Sequence, residues 1–125
     1  MAASILIIDD AAEVRAWLSE TLAEAGFRVQ AVPTGKAAVG ALAEGVVDLI
    51  LTDVYMPDMD GIEVLRTMRR IAPGVPVLMM SGQGNAEFNA RPTADLLGAV
   101  GWLTKPFSNS AVIQAVRDAL AAKAA

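Results

Sequence analysis

A chain of 125 residues fits one domain, and a domain of that size buries about two-thirds of the surface its unfolded form exposes. It has no cysteine and no histidine, which excludes disulfides, thiolate chemistry, Cys-based metal sites, an imidazole general base and any phosphohistidine relay within the chain. Lys and Arg total 10 against 14 Asp and Glu, a net charge of −4, the wrong sign for direct contact with a nucleic-acid backbone.

Apolar content is high at 54%, yet Asp, Arg or Gly interrupts each run before it reaches membrane-spanning length. The first residues, Met1-Ala2-Ala3-Ser4, lack a basic region and lead straight into a strand, so no signal peptide and no membrane partner are expected, and the cytoplasm is the expected compartment. One domain is expected over residues 1–125, with no output domain in this chain.

Apolar runs of strand length alternate with helical patterns along the chain. Ile5–Ile8 forms the first run and ends at Asp9-Asp10. A helix follows, with Val14, Trp17, Leu18 and Leu22 on one face and Gly26 as its stop. Val29–Val32 is the second strand. Thr34 caps the next helix, with Ala38, Val39 and Leu42 inward and Gly45 as the stop. Val47–Leu51 is the third strand and leads through Thr52 to Asp53. Ile62, Leu65 and Met68 line a third helix, which Pro73-Gly74 ends. Val75–Met80 is the fourth strand, followed by Ser81. Val100–Leu103 is the fifth and precedes Lys105-Pro106. Ser108 or Ser110 caps the last helix, with Val112, Ile113, Val116 and Leu120 inward, and Ala121–Ala125 reads as its fraying end.

Three of the runs are apolar on successive residues, as strands covered on both faces are. Five βα units imply a doubly wound parallel sheet, an α/β fold with helices on both faces. In such sheets ligands bind at the carboxyl ends of the strands. Asp9, Asp10, Asp53, Ser81 and Lys105 all fall there.

Carboxylates gathered at one edge repel; a pair about 4 Å apart costs roughly 4 kcal/mol at an effective dielectric near 20. Protonation or a bound cation relieves this. Oxygen-only ligands favour a hard ion, and Mg²⁺ completes its shell with water and phosphate oxygens. Asp53 is the expected acceptor, since a carboxylate can attack phosphorus and hold the product as an aspartyl phosphate. The remaining work is positioning and charge neutralisation, shared by the ion and Lys105. Ser81 can donate its hydroxyl to a phosphoryl oxygen. Singly, each residue has a plainer reading: Asp10 as a helix cap, Asp53 as a turn opener, Lys105 as a solvated loop lysine, Ser81 as a turn former. Together they suit one phosphate–magnesium site.

The residues that carry this pattern are Ile8-Asp9-Asp10, the stretch Thr52-Asp53-Val54-Tyr55-Met56-Pro57-Asp58-Met59-Asp60-Gly61, Met80-Ser81-Gly82 and Thr104-Lys105-Pro106-Phe107. In order and spacing the chain resembles a response-regulator receiver domain of two-component signalling, over essentially its whole length. The resemblance implies a flavodoxin-like, five-stranded sheet in the order 2-1-3-4-5. It implies that Asp53 accepts a phosphoryl group from the phosphohistidine of a sensor histidine kinase or a histidine phosphotransfer protein. By the same resemblance, Asp9, Asp10, Asp53 and the backbone carbonyl of Tyr55 hold Mg²⁺ (or Mn²⁺), Ser81 and Lys105 bind phosphoryl oxygens, and the Lys105–Pro106 bond is cis. The domain then catalyses only its own phosphorylation and dephosphorylation. Its expected output is an altered grip on an unknown downstream protein, through the face made by the fourth helix, fifth strand and fifth helix, as a monomer or weak homodimer.

Four positions depart from the family or refine it. Trp102 stands where the switch aromatic, usually Tyr or Phe, couples to the Ser81 hydroxyl; the plainer reading is an indole packed on the last helix. Pro92 falls where the fourth helix should be in mid-course, and proline inside a helix costs about 3 kcal/mol or more. A mobile loop over Gly82–Arg91 and a short helix over about Thr93–Leu97 are therefore expected. Tyr55 and Gln83 flank the path of an attacking water, so an aromatic at 55 is expected to slow hydrolysis of the phosphorylated form. Other classes fit less well. A small-molecule phosphatase using an aspartyl phosphate would want an acid two residues after Asp53, where Tyr55 stands. A flavin module would want a Ser/Thr/Gly-rich first loop in place of Asp9-Asp10-Ala11-Ala12. A receiver that only docks would not need the full acidic set.

Overall fold

The computed structural model describes residues 2–54, 61–82 and 92–124. Five strands form one all-parallel sheet: β1 (Ser4–Ile8), β2 (Arg28–Val32), β3 (Leu49–Asp53), β4 (Val77–Ser81) and β5 (Gly101–Thr104). Their spatial order is β2-β1-β3-β4-β5, the expected one. Helices α1 (Ala12–Glu24), α2 (Gly35–Glu44), α3 (Gly61–Ile71) and α5 (Asn109–Ala124) connect or follow the strands. Between α3 and α5, residues 92–96 are helical and are called α4 here.

Alternation along each strand splits the core into two layers. Ile5 and Ile7 of β1, with Leu49 and Leu51 of β3, face α1 and α5 through Leu18, Leu22, Val112 and Val116. Leu6, Ile8 and Ile50 face the other way, onto Ala38, Val64, Leu65, Met68 and Ala94 of the remaining helices. Because both faces are covered, β3 and β4 are buried at every position, which is why these strands read as unbroken apolar runs.

Local signals set the helix ends. Thr34 Oγ1 accepts the Ala37 amide at 3.1 Å, and Ser108 Oγ accepts the Ala111 amide at 3.1 Å, so Ser108 rather than Ser110 caps α5. Gly26 and Gly98 follow α1 and α4 with φ of 99° and 94°, a left-handed turn that residues with a Cβ avoid. The short helix expected near Thr93–Leu97 is present as α4, with the Leu97 amide donating to the Thr93 carbonyl at 3.0 Å. Of the loop expected over Gly82–Arg91, all but Gly82 lies outside the described residues.

Some boundaries move. β3 starts at Leu49, not Val47, and runs on to include Asp53; Val46 is 81% exposed. The reason is polar. Asp48 exchanges bonds with Ser4, its amide donating to the Ser4 carbonyl and its Oδ2 accepting the Ser4 amide, both at 2.8 Å. That pins the start of the ladder below the apolar pair. Val39, read as inward, is exposed; Ala38 and Ala41 carry the buried face of α2.

Gly61 opens α3 against the end of β3, and its amide donates to the Val54 carbonyl. A Cβ there would stand 2.5 Å from Val54 Cα and 2.7 Å from the Asp53 carbonyl oxygen. Gly61→Ala is therefore expected to lose about 1–3 kcal/mol of stability through overpacking, read as a lower denaturation midpoint in urea; an unchanged midpoint would refute the close approach.

Candidate functional site at the carboxyl edge

Strand register brings the polar ends together. Ile8 is level with Thr52, so the next residues, Asp9 and Asp53, leave the sheet side by side. Asp53 is level with Met80, and Ser81 with Thr104, which carries Lys105 just past the edge. Backbone bonds extend each ladder by a step: the Val54 amide donates to the Met80 carbonyl at 2.9 Å, and the Lys105 amide to the Ser81 carbonyl at 2.7 Å. The Lys105–Pro106 peptide is cis, as expected.

Asp9 is fully buried and Asp53 nearly so, while Asp10 is exposed. Lys105 Nζ lies 2.9 Å from Asp9 Oδ2 and 2.9 Å from Asp53 Oδ2, bridging the two. Burial works to lower the Lys105 pKa, but the hydrogen bonds to Asp53 and Asp9, with the charge of both carboxylates, outweigh it and raise the group above its ordinary value. Asp9 Oδ1 accepts the Ala11 amide at 2.9 Å. The N-cap of α1 is Ala11, with no side-chain cap; the plainer reading of Asp10 as a helix cap does not hold.

One oxygen from each of Asp9, Asp10 and Asp53 lies within 4.8 Å of the others. Opposite ligands of Mg²⁺ stand about 4.2 Å apart, so small side-chain rotations would close this oxygen-only set around a hard ion. The fourth expected ligand, the Tyr55 carbonyl, lies outside the described residues. Ser81 is 1% exposed, and among the described residues its Oγ has no hydrogen-bond partner. A buried hydroxyl in that state is uncommon.

Trp102 is half-buried and packs with the layer that holds Ala94 and Met79. Its indole N–H donates to Asp95 Oδ1 of α4 at 3.2 Å. It thus sits on α4, on the sheet face opposite α5, and the reading of an indole packed on the last helix is corrected. Leu103, its neighbour, turns to α5.

Two contributors escape sequence reading. Arg15 Nη1 donates to the Asp9 carbonyl at 2.8 Å, a contact that the helical spacing does not announce. Trp17 and Phe107 stack obliquely, with ring centroids 5.7 Å apart, tying α1 to the loop behind Lys105. The helical spacing of Val14, Trp17 and Leu18 marks a buried face but not its partner.

The fold is a doubly wound α/β sheet with acidic groups, a lysine and a hydroxyl gathered at one carboxyl edge. The sequence profile of the response regulator receiver domain matches residues 5–117, and the chain belongs to that family. It is 37% identical over 122 residues to the DNA-binding transcriptional regulator NtrC of Bradyrhizobium sp. (strain RP501 Parasponia), covering 96% of this chain and 25% of that protein. It is 35% identical over 116 residues to the response regulator protein FleR of Pseudomonas aeruginosa, covering 93% of this chain and 24% of that one. The chain thus spans about a quarter of the length of these relatives. Among solved structures, the chemotaxis response regulator CheY4 of Vibrio cholerae superposes with a TM-score of 0.88 at 29% identity, covering 95% of this chain and 99% of that one. A receiver domain protein of Clostridium thermocellum gives 0.89 at 26% identity, covering 97% and 96%.

Removing the shared ammonium leaves two neighbouring carboxylates uncompensated. With Lys105 a quarter exposed, Lys105→Met is expected to lose about 2 kcal/mol in Mg²⁺-free buffer, below the cost of breaking a fully buried pair. Because the folded-state pKa is raised, this stabilisation is complete below the ordinary lysine value of about 10.4 and disappears as pH climbs through the higher folded value. Urea titrations of both proteins from neutral pH upward should run parallel, then converge above that point; convergence near neutrality would refute the pairing.

Proposed function

We propose that this receiver domain is a phosphorylation-driven switch. Asp53 takes a phosphoryl group from the phosphohistidine of a sensor histidine kinase or histidine phosphotransfer protein, with Mg²⁺ (or Mn²⁺) bound. The phosphorylated form alters which downstream protein the α4–β5–α5 face holds. The observation that supports this most is the ammonium of Lys105 between two buried carboxylates, beside a buried Ser81 hydroxyl that lacks a partner among the described residues.

Asp9, Asp10, Asp53 and the Tyr55 carbonyl would hold the ion. When bound, Mg²⁺ neutralises charge on the phosphoryl oxygens. An Asp53 carboxylate oxygen forms its bond to phosphorus as the phosphorus–nitrogen bond of the donor breaks. The electron pair leaves on the donor's imidazole nitrogen, which is protonated from water. Lys105, already 2.9 Å from Asp53 Oδ2, moves its donors onto a phosphoryl oxygen, and the Ser81 hydroxyl donates to another. Asp9 holds the ammonium from the far side. The acceptor is the last residue of β3 and is buried.

Relay of the change falls to β5 and α4. A Ser81 hydroxyl drawn to phosphate moves at the strand end that pairs with Thr104, two residues from Trp102, whose indole is bonded to α4. The domain acts on itself and not on external substrates. We read it as cytoplasmic and as a monomer or weak homodimer.

Intact-protein mass after incubation with Mg²⁺ and acetyl phosphate should show one phosphoryl adduct. Both Asp53→Asn and chelation of the metal should abolish it. No adduct on well-folded protein, even with a histidine-kinase donor, would favour a domain that only docks. A second expectation concerns persistence: Tyr55→Ala should shed phosphate several-fold faster than wild type once the donor is removed, and equal decay would refute a shielding role for Tyr55.

A further inference from the structure

Asp9 has no free hydrogen-bonding group. Its amide donates to the Val32 carbonyl at 3.2 Å, Oδ1 accepts the Ala11 amide at 2.9 Å, and Oδ2 accepts Lys105 Nζ at 2.9 Å. Its carbonyl oxygen accepts Nη1 of Arg15 at 2.8 Å. That last contact is the unusual one. Arg15 belongs to α1, where its own amide donates to the Ala11 carbonyl at 3.0 Å, and its half-buried side chain turns back toward the strand end. The carbonyl it grips is half of the peptide joining Asp9 to Asp10.

A peptide unit is planar, so holding that carbonyl also orients the amide and places the Cα of Asp10, from which its carboxylate extends. Asp10 is the one exposed carboxylate of the acidic three. The Asp9 Oδ1 bond to the Ala11 amide already restrains the turn from Asp9 to Ala11, and the Arg15 bond to the Asp9 carbonyl adds a second restraint. A guanidinium is charged at all relevant pH and is not readily displaced.

We propose that Arg15 is a positioning residue for the divalent ion: by clamping the Asp9–Asp10 peptide it presents Asp10 to the ion in place. The inference rests on the Mg²⁺-dependent reading above. Arg15→Met keeps the apolar stem and removes the donors; Arg15→Lys restores one.

The test is calorimetric titration of the full chain with MgCl₂ and no phosphodonor. Arg15→Met should bind Mg²⁺ about 10-fold more weakly, the lower end for groups that orient metal ligands, and Arg15→Lys should recover most of the loss. With acetyl phosphate, the Mg²⁺ concentration for half-maximal phosphorylation should rise by the same factor while the rate at saturating Mg²⁺ stays at the wild-type value. In metal-free protein the Ala11 amide should exchange faster in Arg15→Met, with core amides such as Ile50 unchanged. If Arg15→Met does not fold, Arg15→Gln is read by the same criteria.

Equal Mg²⁺ affinity in wild type and Arg15→Met would overturn the inference alone. So would a loss of saturating rate and core protection together, which marks a general structural role. Wild-type protein that takes up no Mg²⁺ would overturn the metal reading, and the inference with it.

Discussion

One ammonium group shared between two buried carboxylates organises the carboxyl edge of this sheet. Without Lys105, Asp9 and Asp53 would face each other at the ends of adjacent strands, and one would have to take up a proton or be pushed toward solvent. With it, the two buried carboxylates share one cation at 2.9 Å from each. The arrangement depends on the strand order. β1 and β3 must be neighbours to set the two aspartates side by side, and β4 and β5 must follow on the same flank to bring Ser81 and Lys105 across. The two apolar layers hold that order.

Two features of this edge carry an energetic cost. A buried hydroxyl that, like Ser81 Oγ among the described residues, has no partner costs about 1–3 kcal/mol, and acidic groups gathered within 4.8 Å repel, which the Lys105 ammonium offsets. A domain with a core this continuous can carry such costs at one edge. An anion with its counter-cation would relieve both, one by accepting from Ser81 and the other by drawing the carboxylates inward.

Much of this was legible in the sequence. Apolar runs of strand length, four of the five followed directly by a polar residue, point to the sheet and to the edge on which Asp9, Asp53, Ser81 and Lys105 meet, because strand ends in a parallel sheet all point one way. Helix caps at Thr34 and Ser108 were readable from local chemistry. What escaped depends on reach or register. Val46 and Val47 look like strand, but the Asp48–Ser4 exchange sets where pairing begins. Arg15 bends back onto a carbonyl, and a long side chain on a helix announces no such target. Asp95 meets Trp102 only because α4 and β5 pack side by side. Asp10 stands where a cap residue would, yet Ala11 occupies that position.

The outermost strand on the Lys105 side bears on how a signal can leave the molecule. Consecutive residues of β5 commit to opposite layers: Trp102 bonds to α4, and Leu103 is buried against α5. A slip of one residue would exchange them, sending the indole into the α5 layer and exposing an aliphatic chain. Sliding is thus barred by the alternation itself. Torsion about a side-chain bond carries no such penalty, so any rearrangement at this edge would pivot and not slide.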